Sequence, residues 1–530
     1  MKKLVLLATT FIFLISTGCV EKKVNNISQY NKTDDYLVYN IGSMPENLIL
    51  LDDSKIRNKD IMISLFEGLV KTDENGDIVP GLAESWTIGN DNITYTFKLR
   101  ESAYWSDGTP ITSEDFKSFF KDILNSKQSN IFAYQLYSIF GAQEYRENKK
   151  AFNGVAIRSV DSKTLEIRLN SPTSYFLEIL SQPIYTLRKL GSNLKDWKNS
   201  YSEIVYSGPF IIDTVSKDGE VSLIKNEYYY DMNEVKSERI YLTSSQGSEN
   251  SLALFKTNKI NLFINPPLSE SGELVLDGEA EVVPIEGGAS LNFNFKKAGI
   301  ISNSNFRQAI SLAIDRDDLL SGDLNYIARS ASAYVPNDTG SVDESLKFKP
   351  LIKVEGNEEQ SKKLLRESKY DKKERLKIVY LNNNENRRLC DALVKNIKEN
   401  LDISLDYKGY NDIELQDVLK SGDYDMMIMN YALLYDDPAS ILESWASNSK
   451  LNIFGYKNAE FDSLISKAKF ENDKAKRKDL LKRAEEIFLS DAPAIPIYFH
   501  NIILCKKSSV QDVYATKEGN IKLDRAYIEK

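Results

Sequence analysis

The chain has 530 residues, with 68 Lys and Arg against 77 Asp and Glu and a formal charge of −9. That length allows roughly two to four domain-sized units with ample core, and 42% hydrophobic with 27% charged residues is the balance of a soluble globular protein. The acidic balance and the lack of a basic stripe argue against a general nucleic-acid role. A single histidine, His500, excludes multi-His zinc sites and argues against a Ser-His-Asp triad. It follows an apolar run and reads as a structural residue. Cys19, Cys390 and Cys505 give neither a disulfide framework nor a metal-ligand spacing.

In chain order, the N-terminus reads as a targeting segment. Lys2 and Lys3 supply a positive start, and residues 4–15 form an apolar run of twelve. That is too short to span a bilayer as a helix and right for a signal segment. Small residues then precede Cys19. Residues 21–35 are polar, almost free of large apolar side chains, and read as a flexible tether.

Residues 65–116 are the most informative stretch. They contain Glu67-Gly68-Leu69-Val70, then Val79-Pro80-Gly81-Leu82-Ala83-Glu84-Ser85-Trp86, then Trp105-Ser106-Asp107-Gly108-Thr109-Pro110. Tyr95, Phe97 and Leu99 alternate with Thr94, Thr96 and Lys98, which predicts a half-buried strand. Asp107-Gly108-Thr109-Pro110 predicts a turn. Thr112 with Asp115 predicts a capping box, and Phe116, Phe119, Phe120, Ile123 and Leu124 form the apolar stripe of the helix that follows. The motif reads as scaffold, with the Trp-Ser-Asp-Gly-Thr-Pro turn as a structural corner.

Further on, Leu165, Ile167 and Leu169 share one face of a strand. Tyr206-Ser207-Gly208-Pro209-Phe210 is a turn before another. Residues 305–316 predict an amphipathic helix with Arg307 and Asp315 as solvated or interface charges. Residues 376–381 read as a strand and 389–401 as a helix. Residues 424–430 form an apolar run like a buried parallel strand. Asp436-Asp437-Pro438 reads as a turn before a helix over 439–446, with Asp as its cap.

The three elements of residues 65–116, in that order and spacing, closely resemble the signature of the oligopeptide- and dipeptide-binding proteins of ABC importers, the extracellular solute-binding family 5. The run Leu223-Ile224-Lys225-Asn226-Glu227-Tyr228-Tyr229 and the helix with Arg307, Ala309 and Ile314-Asp315-Arg316 are similar to family elements as well. The resemblance covers about residue 45 to the C-terminus. It implies an α/β fold: a two-lobed periplasmic-binding-protein-like clamshell (class II, cluster C) with an extra inserted domain. It also implies a division into lobe I (36–61, 172–286 and 495–530), the extra domain (62–171) and lobe II (287–494). The residues before Cys19 resemble a lipobox with Ser16 where Leu is usual. Signal segment 1–18 would be cleaved and Cys19 lipidated, leaving 19–35 as tether; the alternative is plain secretion with a free Cys19.

The resemblance implies that an extended peptide is held by its backbone between the lobes. Carried over position by position, the contacts fall at Ile56 on one side and at Asn430, Tyr431 and Ala432 on the other. Tyr410 matches a second cleft aromatic. Peptide-binding relatives place an aspartate directly before the Tyr matching Tyr435, where it meets the ligand's ammonium. Here that position is Leu434. The position of an arginine that meets a short peptide's carboxylate is Ile428. Three explanations stand: Asp436 or Asp437 supplies the ammonium partner, the ligand is a longer or blocked peptide held mid-chain, or the ligand is not a peptide.

The expected partners are an oligopeptide, the permease subunits of an ABC importer, and a membrane through the lipid anchor at the extracytoplasmic face. No cofactor, metal or nucleic acid is expected, and the chain is expected to be a monomer. The alternative is a dedicated receptor for one signalling peptide or for a non-peptide solute such as an oligosaccharide or metal chelate. An enzyme is not expected, because no Gly-x-Ser-x-Gly elbow or His-Glu-x-x-His stands in the chain.

Overall fold

The computed structural model describes residues 32–51, 56–321, 324–336 and 350–530. The signal segment, Cys19 and the tether up to residue 31 lie outside the described residues. The end of the expected tether belongs to the fold. Lys32–Asp34 form a 3-10 turn, Thr33 is buried and its Oγ1 donates to Asn258 O at 2.9 Å, and Lys32 pairs with Glu220 at 2.6 Å.

One eleven-stranded mixed sheet runs through both lobes. In lobe I the strand Leu37–Asn40 lies parallel to Arg239–Thr243 on one side and to Leu262–Ile264 on the other. Val221–Lys225 and Phe210–Val215 extend the sheet antiparallel. In lobe II, Leu376–Leu381 lies between Leu405–Tyr410 and Met426–Ala432, parallel to both.

Two long strands join the halves. Ala280–Phe293 and Ala494–Lys506 pair antiparallel along most of their length. Their lobe I end pairs with Leu262–Ile264 through Leu504, Cys505 and Lys506. Their lobe II end pairs with Met426–Ala432 through residues 287–293. The ladder shifts register between Pro284 and Gly288, which bends the strand pair where it passes between lobes. These are the two crossings of a clamshell.

A separate four-stranded antiparallel sheet orders Ala83–Ile88, Thr94–Leu99, Thr164–Arg168 and Ile157–Asp161. Tyr95, Phe97 and Leu99 are buried while their alternate neighbours are not, so one face packs on a core and the other meets water. The helix Ser113–Leu124 closes that core with Phe116, Phe119, Phe120, Ile123 and Leu124. Its capping box is formed by Thr112 and Asp115. In the preceding corner Asp107 Oδ1 accepts from Thr109 N–H at 2.9 Å, Gly108 takes φ +82°, and Trp105 is buried. This unit's core also takes in Tyr175, Phe176, Ile179, Leu180 and Tyr185, and reaches across to Tyr435 and Ala439 of lobe II.

Some charges expected at the surface are internal. Arg307 is buried and donates to Asp491 O at 2.6 Å and Ile301 O at 2.8 Å. Its helix ends at Ala313. Asp315 then caps a new turn, Arg316–Leu319, by accepting from Asp318 N–H. Arg316 is buried and donates to Pro496 O at 2.8 Å. Both arginines bind backbone carbonyls at the end of one helix or the start of the second crossing strand, which holds lobe II as one body.

Candidate functional site

The three parallel strands of lobe II end toward the same edge, where α/β sheets place their ligands. Met426–Ala432 reaches beyond its neighbour there. It pairs with Leu376–Leu381 only through Met426 and Met427, while its other side stays paired as far as Ala432 with Gly287. Leu433 N–H donates to Glu286 O at 2.8 Å. In an antiparallel ladder these bonds alternate, so residues 433, 431 and 429 face the crossing strand, and the backbone groups of Asn430 and Ala432 face the opposite edge. Asn430 and Ala432 are both exposed. A free strand edge is a template for an added strand.

Tyr431 is braced from behind. Its ring stacks on Tyr334 at 4.9 Å and its hydroxyl donates to Tyr334 O at 2.8 Å. The Tyr334 hydroxyl accepts from Trp445 Nε1 at 2.9 Å. Glu485 Oε1 accepts from the N–H groups of both Tyr334 and Val335 at 2.7 Å. Glu485 is fully buried, and burial pushes its carboxyl up to about 7. A cavity of about 190 Å³ lies against Tyr431, Ala432, Leu434 and Trp445.

Residues 433–443 then run across the junction between lobes. Leu434 is half-buried, packs against the core of the inserted unit, and donates its N–H to Ser440 Oγ at 2.8 Å. Asp437 receives two Arg477 guanidinium bonds at 2.6 and 2.8 Å, and also accepts from Ala439 N–H at 2.8 Å. The helix after it is short, Ala439–Leu442, and tightens to a 3-10 turn over Glu443–Trp445. Asp436 pairs with Lys517 of lobe I at 2.9 Å. The Arg477 guanidinium lies 4.9 Å over the Tyr175 ring. Tyr175 stacks on Tyr435 and donates to Glu443 Oε1 at 2.7 Å. These contacts tie lobe II to the inserted unit and to lobe I.

Glu286 sits where the first crossing strand, residue 433 and the C-terminal segment meet. Its N–H donates to Lys517 O at 2.7 Å. Both its carboxylate oxygens are buried without a hydrogen-bond donor. Burial, and then the facing Asp436, hold its carboxyl well above the usual range, and Lys517 offsets part of this.

The structure thus gathers Asn430, Tyr431, Ala432, Leu434, Asp436 and Asp437 on one segment at the lobe junction. Ile56 opens the helix Ile56–Leu65. Tyr410 stands apart from the cavity that Tyr431 lines. It ends the strand Leu405–Tyr410, is buried, and lies under Lys408 Nζ at 4.6 Å. Ile428 is a buried strand residue. Sequence reading missed Tyr175, Tyr334, Trp445, Glu443, Arg477 and Glu286. His500 faces Glu385 at 3.6 Å beside a cavity of about 280 Å³, and burial lowers its pKa. Among the described residues no group of His, Cys, Asp and Glu could hold a metal ion.

A two-lobed clamshell with a free strand edge at its junction is a solute-binding protein. The chain belongs to the bacterial extracellular solute-binding proteins, family 5, whose middle region matches residues 77–452. It is 30% identical over 478 residues to the oligopeptide-binding protein OppA of Bacillus subtilis, covering 88% of this chain and 87% of that one. It is 27% identical over 471 residues to the dipeptide-binding protein DppE of the same organism, covering 87% and 86%. Among solved structures, an oligopeptide-binding protein of Borrelia burgdorferi superposes with a TM-score of 0.79 at 26% identity, covering 93% of this chain and all of that one. Haemophilus influenzae OppA in complex with the peptide RPPGFSPFR superposes with a TM-score of 0.78 at 23% identity, covering 94% and 100%.

Proposed function

We propose that this protein captures oligopeptides between its lobes and delivers them to the permease of an ABC importer at the extracytoplasmic face of the membrane. The observation that carries this reading is the free edge at Asn430 and Ala432. A peptide added there is held by main-chain bonds, which makes binding tolerant of side-chain sequence. Hinge closure then removes water and strengthens each polar contact. The family of solute-binding proteins and the peptide-binding relatives support the reading. Ile56 on the facing lobe completes the clamp, and lipidation at Cys19 holds the protein on the membrane. The protein carries out no catalysis.

The test is mass spectrometry of what co-purifies with the protein and is released by denaturation. A ladder of unrelated peptides supports a general oligopeptide receptor. A single sugar or metal chelate, with no peptide binding by titration calorimetry, overturns the reading.

A further inference from the structure

Glu286 is a buried acid at the lobe junction that the peptide-binding reading leaves without a role. It is 2% exposed, and three segments meet at it. Its carbonyl accepts from Leu433 N–H of lobe II, and its own N–H donates to Lys517 O of the C-terminal segment. Among the described residues no N–H or hydroxyl group donates to its carboxyl oxygens.

The groups facing that carboxyl are Asp436 of lobe II, which lies within hydrogen-bond reach of it, and Lys517 and Glu518 of the C-terminal segment. Lys517 pairs with Asp436 at 2.9 Å. Arg329 reaches only the neighbouring backbone, at Ile285 O, and Arg57 is engaged with Asp60. Three carboxyls therefore share one ammonium. Ionised together, they would leave two negative charges uncompensated and away from water, which is costly. Two carboxyls in contact avoid this by holding one proton between them, one side donating its O–H and the other accepting. Burial and then the facing Asp436 hold the proton on Glu286, and Lys517 works against it. Burial also holds the Glu518 carboxyl above its usual range, with Thr516 offsetting part of this.

The two acids stand on bodies that move relative to one another. Glu286 is on the first crossing strand, tied to Lys517 of lobe I, and Asp436 is on the cleft segment of lobe II. A hinge motion that parts the lobes would draw Asp436 away and admit water, and a solvated Glu286 would return to the ordinary carboxylate range.

We propose that Glu286 and Asp436 form a shared-proton pair in the closed clamshell, so that ligand capture takes up a proton and the closed state weakens as pH rises. The inference rests on the peptide-binding reading above. A group that holds its proton more tightly in the closed state favours closure fully below its open-state pKa. That contribution is lost as pH rises through the closed-state value. Peptide affinity therefore falls with rising pH, by at most about tenfold per pH unit for one proton.

The test is titration calorimetry of the full protein at about pH 6.5, between the ordinary carboxylate and amine ranges. The probe is a degenerate pool of synthetic nonapeptides lacking Asp, Glu and His, so that no ligand side chain titrates. Runs in phosphate, PIPES and imidazole, whose ionisation enthalpies differ, give the number of protons taken up as the slope of binding enthalpy against buffer enthalpy. The expected slope for the parent is uptake of roughly half to one proton per peptide. In Glu286→Gln, whose amide donates to Asp436 as the shared proton does, the uptake disappears and affinity no longer falls with pH. Asp436→Asn leaves Glu286 to ionise beside Lys517 and loses the uptake too. Comparison with these variants removes the share of every other titrating group, His500 among them. A parent that binds the pool with no proton uptake overturns the pair and leaves peptide capture standing. Uptake of parental size in both variants, each folded by circular dichroism, overturns it as well. A pool that does not bind removes the peptide-binding reading and the proton-linked capture with it.

Discussion

The rings of Tyr175, which follows the inserted unit in the chain and packs into its core, and Tyr435 of lobe II lie 5.6 Å apart and within 4° of parallel. The Tyr175 hydroxyl carries the contact further by donating to Glu443 at 2.7 Å. Burial holds the Glu443 carboxyl above its usual range. We predict that this pair acts as a latch whose free energy counts toward the closed state of the hinge motion. Tyr175→Phe keeps the stacking and removes the hydrogen bond. Leaving a buried acceptor without its donor costs about 1–3 kcal/mol. The expected outcome is ligand release faster by about tenfold, measured by stopped-flow displacement of a fluorescent peptide. A release rate equal to the parent's would show that the latch does not contribute to closure.

The Arg477–Asp437 pair lies behind that latch, with both side chains buried. Removing one partner strands the other charge, at a cost of about 3–5 kcal/mol. Arg477→Met should therefore lower the urea midpoint strongly, while Arg477→Met with Asp437→Leu should recover much of the loss, since an apolar pair of similar volume needs no counter-charge. A double variant as unstable as the single one would assign the loss to packing against Tyr175 instead.

Periodic patterns made much of the fold legible in the sequence. The alternation at Tyr95, Phe97 and Leu99 and the box at Thr112 and Asp115 are local, and each is found as written in the chain. The apolar run at 424–430 likewise signals a buried strand. What local pattern does not carry is which member of a charged helix turns inward. Arg477 lies in Lys474–Asp491, a helix crowded with Lys, Arg, Asp and Glu, and nothing in its spacing separates it from the solvated residues. Glu485 in the same helix is fully buried because it meets two backbone N–H groups from residues 334 and 335, more than a hundred positions away. Tyr175 and Glu286 are hidden for the same reason, since their partners come from other lobes. The edge at Asn430 and Ala432 was placed through family resemblance. The free backbone there follows from where the neighbouring strand stops, which no single strand's sequence records.

Gly288 sits on the first crossing strand where the ladder shifts register. A Cβ built there would lie 2.3 Å from Tyr498 O and 3.0 Å from the Tyr431 hydroxyl. The first contact is to backbone, which cannot rotate away. Gly288→Ala should push the two crossing strands apart and cost about 1–3 kcal/mol by overpacking. It should also loosen Tyr431 on Tyr334, so peptide affinity should fall along with the melting temperature. Calorimetric melting and titration on one preparation check both. A variant that melts and binds like the parent would mean the strands separate at this point without cost.

The buried acids set the direction of the pH dependence. Glu485 and Glu178 are pushed from the usual 4.5 up to about 7, and Asp60 from 3.8 up to about 6, in each case chiefly by burial. A carboxyl with a raised folded pKa holds its proton in the folded state at a pH where the unfolded chain has lost it. Its contribution to stability is fully present below the unfolded pKa and is lost as pH rises through the folded one. The melting temperature should therefore fall between about pH 4.5 and pH 7, a window set by these shifts. Glu485→Gln keeps an oxygen for the N–H groups of Tyr334 and Val335 and removes the titration. Its melting temperature should fall less steeply across that window than the parent's. Equal slopes in the two proteins would mean that Glu485 stays ionised in the core, with the two N–H bonds at 2.7 Å outweighing its desolvation.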